Sequence, residues 1–354
     1  MVIAIDCRWI DSSGIGVYIR ECLPLFLKSN NYFYLLGDSV KLQELISGCK
    51  NAEILDCNVK TFSLRELFFF PEKYLKIINK SDCYYSPYFN VPGGIRVPIY
   101  LTIHDMIFPD IPELTSRFGL SLRMLFYRRA FTKARKIFTV SNFSKLRIEH
   151  YSGGKVPVVV THSAIQPWIL QSRKDKIEKN NTIVFIGNIK KHKGLDCLFD
   201  AFLLARAEGL SCKLVIIGSR DNFRSSDNSF LQKIDSLGPA AVLFTGFITN
   251  QEMLEYLSSA ALLVQPSLYE GFGLPPLEAM VLGTQALISD IPALKEIYSE
   301  FPVTFFKAGD PADLKEKLLK LLHNQPALVV SLSEPLLSKY TFDKTAATIL
   351  QHLT

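Results

Sequence analysis

Glu270 and Glu278 stand on either side of a glycine- and proline-rich turn in the stretch LYEGFGLPPLEAM (268–280). Gly271 and Gly273 carry no Cβ, so the backbone can turn tightly and bring N–H groups against a ligand. Pro275 and Pro276 suit the first turn of a helix, where a missing donor costs nothing. The partial positive charge of such a helix start predicts an anion or sugar hydroxyls at this loop, with one carboxylate facing each end of a bound polar molecule. For Glu278 alone, an ordinary first-turn glutamate favoured by the helix dipole is an equally good reading. Glu270 is harder to explain that way, since an acid gains nothing obvious beside an apolar glycine-rich turn.

A second cluster, IGNIKKHKGLDCL (186–198), ends an apolar run and opens a helical pattern, placing Lys190, Lys191, His192 and Lys193 before Gly194. Lysines at the C-terminal edge of a strand can hold a diphosphate as point charges, each contact worth roughly 1.5–3 kcal/mol once water is excluded. A solvated basic loop explains Lys190 and Lys191 better than it explains Lys193. Gly14 and Gly16, in SSGIGVYIREC (12–22), open another helix and can bring amides to the same phosphates. A tight turn accounts for that bare GxG equally well.

These residues need elements to hold them, and short apolar runs alternating with longer amphipathic stretches give the βαβα pattern of parallel sheets covered by helices. In the first half the strands are predicted at 2–6, 33–37, 83–86, 97–103, 137–140 and 156–160, with helices around 17–28, 64–78, 114–134 and 142–151. A proline followed by a charged, Asn-ended run marks a linker at 169–181. The pattern then restarts, with strands at 182–187, 213–218, 242–246, 262–266 and 286–290 and helices near 194–208, 250–258, 275–283 and 311–323. The expectation is an α/β chain of two Rossmann-like domains facing each other across a cleft. The first domain covers 1–168 and the second 182–340; a closing helix at 341–354 can fold back on the first.

Composition sets the outer bounds. The 354 residues are 48% hydrophobic and 21% charged, which gives ample apolar surface and no case for disorder. The seven cysteines form no CxxC pair, so a reducing compartment and no thiol-bound metal are expected. MVIAIDCRW (1–9) lacks the long apolar core of a secretory signal. No apolar run approaches the roughly 20 residues that cross a bilayer. The expectation is a cytoplasmic protein, at most at the inner face of the membrane. A net charge of +6 favours anionic partners without selecting one. No RNA-binding signature appears, so nucleic acid is not expected.

Taken together, the three glycine and lysine sites resemble glycosyltransferase family 4, the retaining nucleotide-sugar transferases of the GT-B fold. EGFGLPPLEAM matches the paired-glutamate signature residue for residue, and PSLYEGFG, GFI (246–248), HKGL and SDIPALKEI (289–297) fall in the expected order. SGIGVYI, YFNVP (88–92), TIHDMIFP (102–109) and VSNFS (140–144) resemble the mannosyltransferase-like branch more loosely. The resemblance implies that Glu270 contacts the donor hexose, that Gly271, Phe272, Gly273 and Leu274 supply amides to sugar and phosphates, and that Glu278 binds the ribose hydroxyls. It implies that Lys193 neutralises the leaving diphosphate, that His104 lies over the donor sugar with Asp105 orienting the strand end, and that Ile248 neighbours the base. Where the family commonly has an arginine beside that lysine, this chain has Asn188 and His192; Asn188 is counted among the donor-binding residues.

The co-substrate implied is a nucleotide-diphosphate sugar, GDP-mannose first, with no further cofactor. No DxD triplet occurs in the chain, in keeping with protein cations in place of a metal. The acceptor implied is a glycan, lipid-linked, in surface-polysaccharide or lipopolysaccharide assembly. RMLFYRRAFTKARK (123–136) crowds six basic residues among apolar ones; with FFF at 68–70 it suits peripheral contact with an anionic membrane, and a core-packed helix with a solvated basic face suits it equally. A UDP-sugar 2-epimerase of the same fold and a non-catalytic nucleotide-sugar binder are the rival readings.

Overall fold

The computed structural model describes residues 1–173, 178–218, 237–322 and 327–353. The chain divides into two compact units, Met1–Ala164 with Tyr340–Thr354, and Ile165–Lys339.

In the first unit, apolar runs that bury both faces form a parallel sheet, as expected where helices cover each side. Its strands are β1 (Val2–Asp6), β2 (Tyr32–Gly37), β3 (Ala52–Asp56), β4 (Cys83–Ser86), β5 (Ile99–Thr102), β6 (Ala134–Thr139) and β7 (Val158–Val160). The order is β3-β2-β1-β4-β5-β6-β7. The chain therefore winds outward from β1 in one direction and restarts beside it with β4, which makes β1/β4 the switch point where ligands of such sheets bind.

The second unit repeats the scheme with β8 (Thr182–Ile186), β9 (Lys213–Ile217), β10 (Val242–Gly246), β11 (Leu262–Gln265), β12 (Gln285–Ser289) and β13 (Thr304–Phe306). Its order, β10-β9-β8-β11-β12-β13, puts the switch point at β8/β11. Phe185, Leu198, Phe202, Leu214 and Val264 build its core.

The closing helix Phe342–His352 belongs to the first unit and packs on the helix Ser13–Leu27. Its apolar residues Phe342, Ala346, Ile349 and Leu353 share one face and join the core of Ile3, Tyr18 and Phe26. Residue 354, at the end of the predicted closing helix, lies outside the described residues.

Several expectations change. The helix predicted at 64–78 is two, Leu64–Phe68 and Glu72–Ile78, because Pro71 keeps Phe70 out of helical geometry and starts the second. The strands β3 and β13 were not expected: both are sheet edges, one reading AEILD with charges and the other only three residues long. At the start of the predicted linker, the helix Pro167–Gln171 belongs to the second unit and contacts the helix Pro275–Val281. Residues 174–177 of that linker, and 323 of the predicted helix 311–323, lie outside the described residues.

The basic stretch 123–136 is not one solvated face. The helix Arg117–Lys133 ends before Arg135 and Lys136, which sit on β6. Arg129 turns inward to the carbonyls of Val91 (2.9 Å) and Pro92 (3.1 Å). Arg123 donates to Thr115 and lies 4.2 Å over the Phe108 ring. Arg128 and Lys133 remain exposed, alongside Phe118, Leu122 and Leu125.

Candidate functional site

At the β8/β11 switch point, the chain leaves β8 and turns through Lys191–Lys193 before Gly194 starts the helix Leu195–Ala207. Gly194 has φ +68, and a Cβ there would lie 1.9 Å from the Pro266 carbonyl oxygen. Only glycine allows so close a backbone approach. The Leu268 N–H donates to the His192 carbonyl at 2.8 Å. These two ties fix the lysine turn against the loop that follows β11.

The consequence is an ion pair between residues far apart in sequence: Lys193 Nζ lies 2.7 Å from Glu270 Oε1. The same oxygen accepts from Gln265 Nε2 (2.8 Å) and Ser267 Oγ (2.7 Å). All three of these donors fall on Oε1. Burial pushes the Glu270 carboxyl up, but the Lys193 charge and hydrogen bond, helped by Ser267, outweigh it and hold the group below the usual range. His192 is buried with its Nδ1 unpartnered; burial and the Lys193 charge bring its pKa to about 4, so the ring is neutral.

The loop after Glu270 is held just as firmly. Gly273 takes φ +82, and a Cβ there would meet Leu294 Cδ2 at 2.6 Å. The Tyr298 hydroxyl donates to the Gly273 carbonyl and accepts from the Leu277 N–H at 3.2 Å. Leu277 N–H also reaches the Leu274 carbonyl (2.9 Å). Because Pro275 and Pro276 have no N–H, the first turn of the helix Pro275–Val281 has no free amide at these three positions. This corrects the expectation that the helix start itself offers amides to an anion.

Glu278 is 8% exposed, and burial raises its pKa to about 7 with no opposing charge or hydrogen bond. An ordinary first-turn glutamate would be solvated, so that reading does not fit. A buried carboxyl with a raised pKa beside a glycine-rich loop makes Glu278 a candidate functional group.

The remaining predicted residues divide clearly. Asn188, Lys190 and Lys191 are exposed, whereas the Lys193 side chain is 20% exposed. Ile248 is half-buried, next to Phe247, which is 87% exposed. In the first unit, His104 follows β5, with Nε2 3.0 Å from the Pro87 carbonyl and its ring 5.0 Å from Tyr18, edge to face. Burial lowers its pKa to about 4 against the opposing Pro87 hydrogen bond, so this imidazole too is neutral. Asp105 Oδ1 accepts from Ile107 N–H at 3.0 Å, which anchors the turn after the strand.

Gly16 is a correction. Its N–H donates to the Ser12 carbonyl at 2.7 Å, and a Cβ would lie 2.3 Å from the Ile10 oxygen. Its role is close packing, and its amide is not available to phosphates. Gly14 has open space around a Cβ position and no steric need to be glycine. Gln265 and Tyr298, which shape the site, went unmarked in the sequence, whereas Ser267 lies inside the PSLYEGFG motif.

Among the described residues, no three His, Cys, Asp or Glu side chains are grouped to hold a metal ion. Residues 168–334 match the model of the family described as glycosyl transferases group 1. The chain is 27% identical over 210 residues to the serotype-specific mannosyltransferase WbdA of Escherichia coli, a match covering 55% of this chain and 25% of that one. It is 23% identical over 249 residues to O-antigen chain mannosyltransferase B of Escherichia coli, covering 66% of this chain and 63% of that one. The match thus spans from a quarter to under two thirds of these relatives. Among solved structures, Anabaena HepE in complex with UDP and glucose superposes with TM-score 0.71 at 17% identity, covering 100% of this chain and 99% of that one. The fold is that of the GT-B glycosyltransferases, and the family match over residues 168–334, under half of the chain, likens this chain to group 1, with the motif order of family 4.

Proposed function

We propose that this chain is a retaining glycosyltransferase that moves a hexose, mannose first, from a nucleotide diphosphate to a lipid-linked glycan in surface-polysaccharide assembly. The observation that carries this reading is the Lys193–Glu270 pair at the β8/β11 switch point, ahead of the buried, uncompensated Glu278. The names of the mannosyltransferase relatives, and the UDP and glucose held by HepE, support the donor class.

In this reading Lys193, held by Glu270, already faces the bound diphosphate when the anomeric bond breaks. Negative charge then develops on the leaving group beside a cation already in place, which is the preorganised stabilisation that lowers such barriers. Glu270 accepts a hydroxyl of the hexose, and Glu278 accepts the ribose hydroxyls, which supply the hydrogen bonds its carboxylate lacks. The neutral His104 contacts the sugar without adding charge. With no carboxylate assigned as covalent nucleophile, the acceptor hydroxyl attacks on the face the diphosphate leaves, and the configuration is retained. Protein cations do the work of a metal.

For the acceptor, exposed Phe68 (71%) and Phe69 (75%), and Phe118 (79%) with the exposed Arg117 and Arg128 of its own helix, suit an anionic membrane surface. The test is incubation with a panel of nucleotide-diphosphate hexoses in EDTA, with NMR of the product's anomeric proton. Transfer with retention supports the reading; an inverted product, or activity lost in EDTA and restored by Mg²⁺ or Mn²⁺, contradicts it.

A further inference from the structure

The first unit has its own switch point, β1/β4, and the residues there are aromatic. Trp9 follows β1 and Tyr88 follows β4; their rings meet edge to face at 4.8 Å. Phe62 closes on both at 5.7 Å. It does so from the left-handed backbone region, φ 56, held by its N–H on Glu66 Oε2 at 2.5 Å. A bulky residue in that region is strained, and such strain persists where the surroundings over-determine it. All three side chains are half-buried, and Phe62 and Tyr88 also pack on Phe89 (4.7 and 4.4 Å).

Beneath the rings lies a polar floor with its side chains sealed from water. Trp9 Nε1 donates to Asn90 Oδ1 (3.0 Å), and Asn90 Nδ2 to Asp6 Oδ2 (2.8 Å). Arg8 forks onto Asp6 (2.9 and 2.6 Å) and reaches Glu66 (2.6 Å). Tyr84 donates to Asp6 at 2.5 Å. Such a satisfied network fixes the indole plane, which a casual surface aromatic would not have. The Arg8 guanidinium spends its hydrogen bonds on Asp6, Glu66 and the Val59 carbonyl (3.0 Å), which leaves it turned away from a phosphate. At the rim stand Asp105 and Arg123, whose charges act on the Tyr88 hydroxyl, and His104, its ring 6.4 Å from Tyr88.

We propose that Trp9, Tyr88 and Phe62 form a seat for a neutral pyranose ring, stacked through its C–H face, with the rim groups meeting its hydroxyls. Apolar aromatic faces with a few convergent polar groups are the usual lining of such sites. Naming that ring the acceptor hexose rests on the glycosyl-transfer reading above; the seat itself does not.

The two tryptophans make the test direct, since Trp168→Phe leaves Trp9 as the sole indole. Methyl α-mannoside, α-glucoside and α-galactoside are titrated to about 100 mM, a range that captures millimolar affinity. Trp9 emission and saturation-transfer NMR of the sugar ring protons are read together. A saturable response to at least one hexoside, weakened about tenfold or more by Tyr88→Ala while a nucleotide sugar still raises Tm, is the expected result. Should Tyr88→Ala unfold, Tyr88→Leu removes the ring and keeps bulk. No response by either method, or the same curve without the Tyr88 ring, overturns the seat. If hexosides bind and no nucleotide sugar raises the wild-type Tm, the glycosyl-transfer reading fails and the seat stands.

Discussion

Lys193 Nζ and Glu270 Oε1 are 2.7 Å apart, and the side chains are 20% and 9% exposed. Removing the lysine takes the charged partner from a buried carboxylate that Gln265 and Ser267 also hold and, in the proposed reading, deprives the leaving diphosphate of its cation. Lys193→Ala should lower kcat/KM at least about 100-fold, equivalent to about 2.7 kcal/mol of transition-state stabilisation. Steady-state kinetics decides it, and a value within twofold of wild type contradicts the assignment.

Gly194→Ala tests whether the lysine turn must lie against Pro266. The added Cβ would meet a backbone oxygen at 1.9 Å in a left-handed conformation, so the turn has to move. A stability loss of about 2 kcal/mol or more is expected, with weaker nucleotide-sugar affinity. Chemical denaturation and calorimetric titration measure both; unchanged affinity would show that the turn does not position Lys193.

Glu278 makes a pH-dependent prediction. The folded protein keeps this proton to about pH 7, whereas the ordinary value is 4.5, so between those limits the folded state binds more protons and stability falls as pH rises. Glu278→Gln should flatten that fall and stabilise the ligand-free protein at pH 8 by on the order of 2–3 kcal/mol. It should also weaken donor binding, since the ribose hydroxyls lose their charged acceptor. Parallel stability profiles for the two proteins between pH 5 and pH 8 would contradict the account.

Tyr298→Phe removes the hydroxyl that joins the Gly273 carbonyl to the Leu277 N–H. The loss should be about 1–2 kcal/mol in stability, with donor KM raised more than kcat is lowered, because the loop loosens while the reacting groups remain.

Membrane contact predicts salt-sensitive sedimentation with phosphatidylserine vesicles at low ionic strength, reduced by the pair Phe68→Ser and Phe69→Ser. Wild-type protein that stays in the supernatant would remove that partner.

Much of the fold was legible because strands buried on both faces read as plain apolar runs: VIAID and KLVII needed no context. β3 was not, since an edge strand that reads AEILD carries charge on its open side. Glu270 stood out in its loop because a carboxylate there has no local use, but its partner could not be read: Lys193 lies at |i−j| = 77 and meets it only through sheet order and the Gly194 contact. Gly16 misled for the opposite reason, since a glycine required by a nearby carbonyl looks in sequence like one that serves a phosphate. Gln265 and Tyr298 are ordinary residue types whose importance comes wholly from what folding sets beside them.

Equilibrium melting with a panel of nucleotide-diphosphate hexoses in EDTA tests the Lys193–Glu270 wall most directly. At about 100 times its Kd a true donor should add about 2.7 kcal/mol of stability, and Lys193→Ala should abolish most of the shift. If no member of the panel raises Tm, or the shift survives undiminished in Lys193→Ala, the wall does not hold the donor.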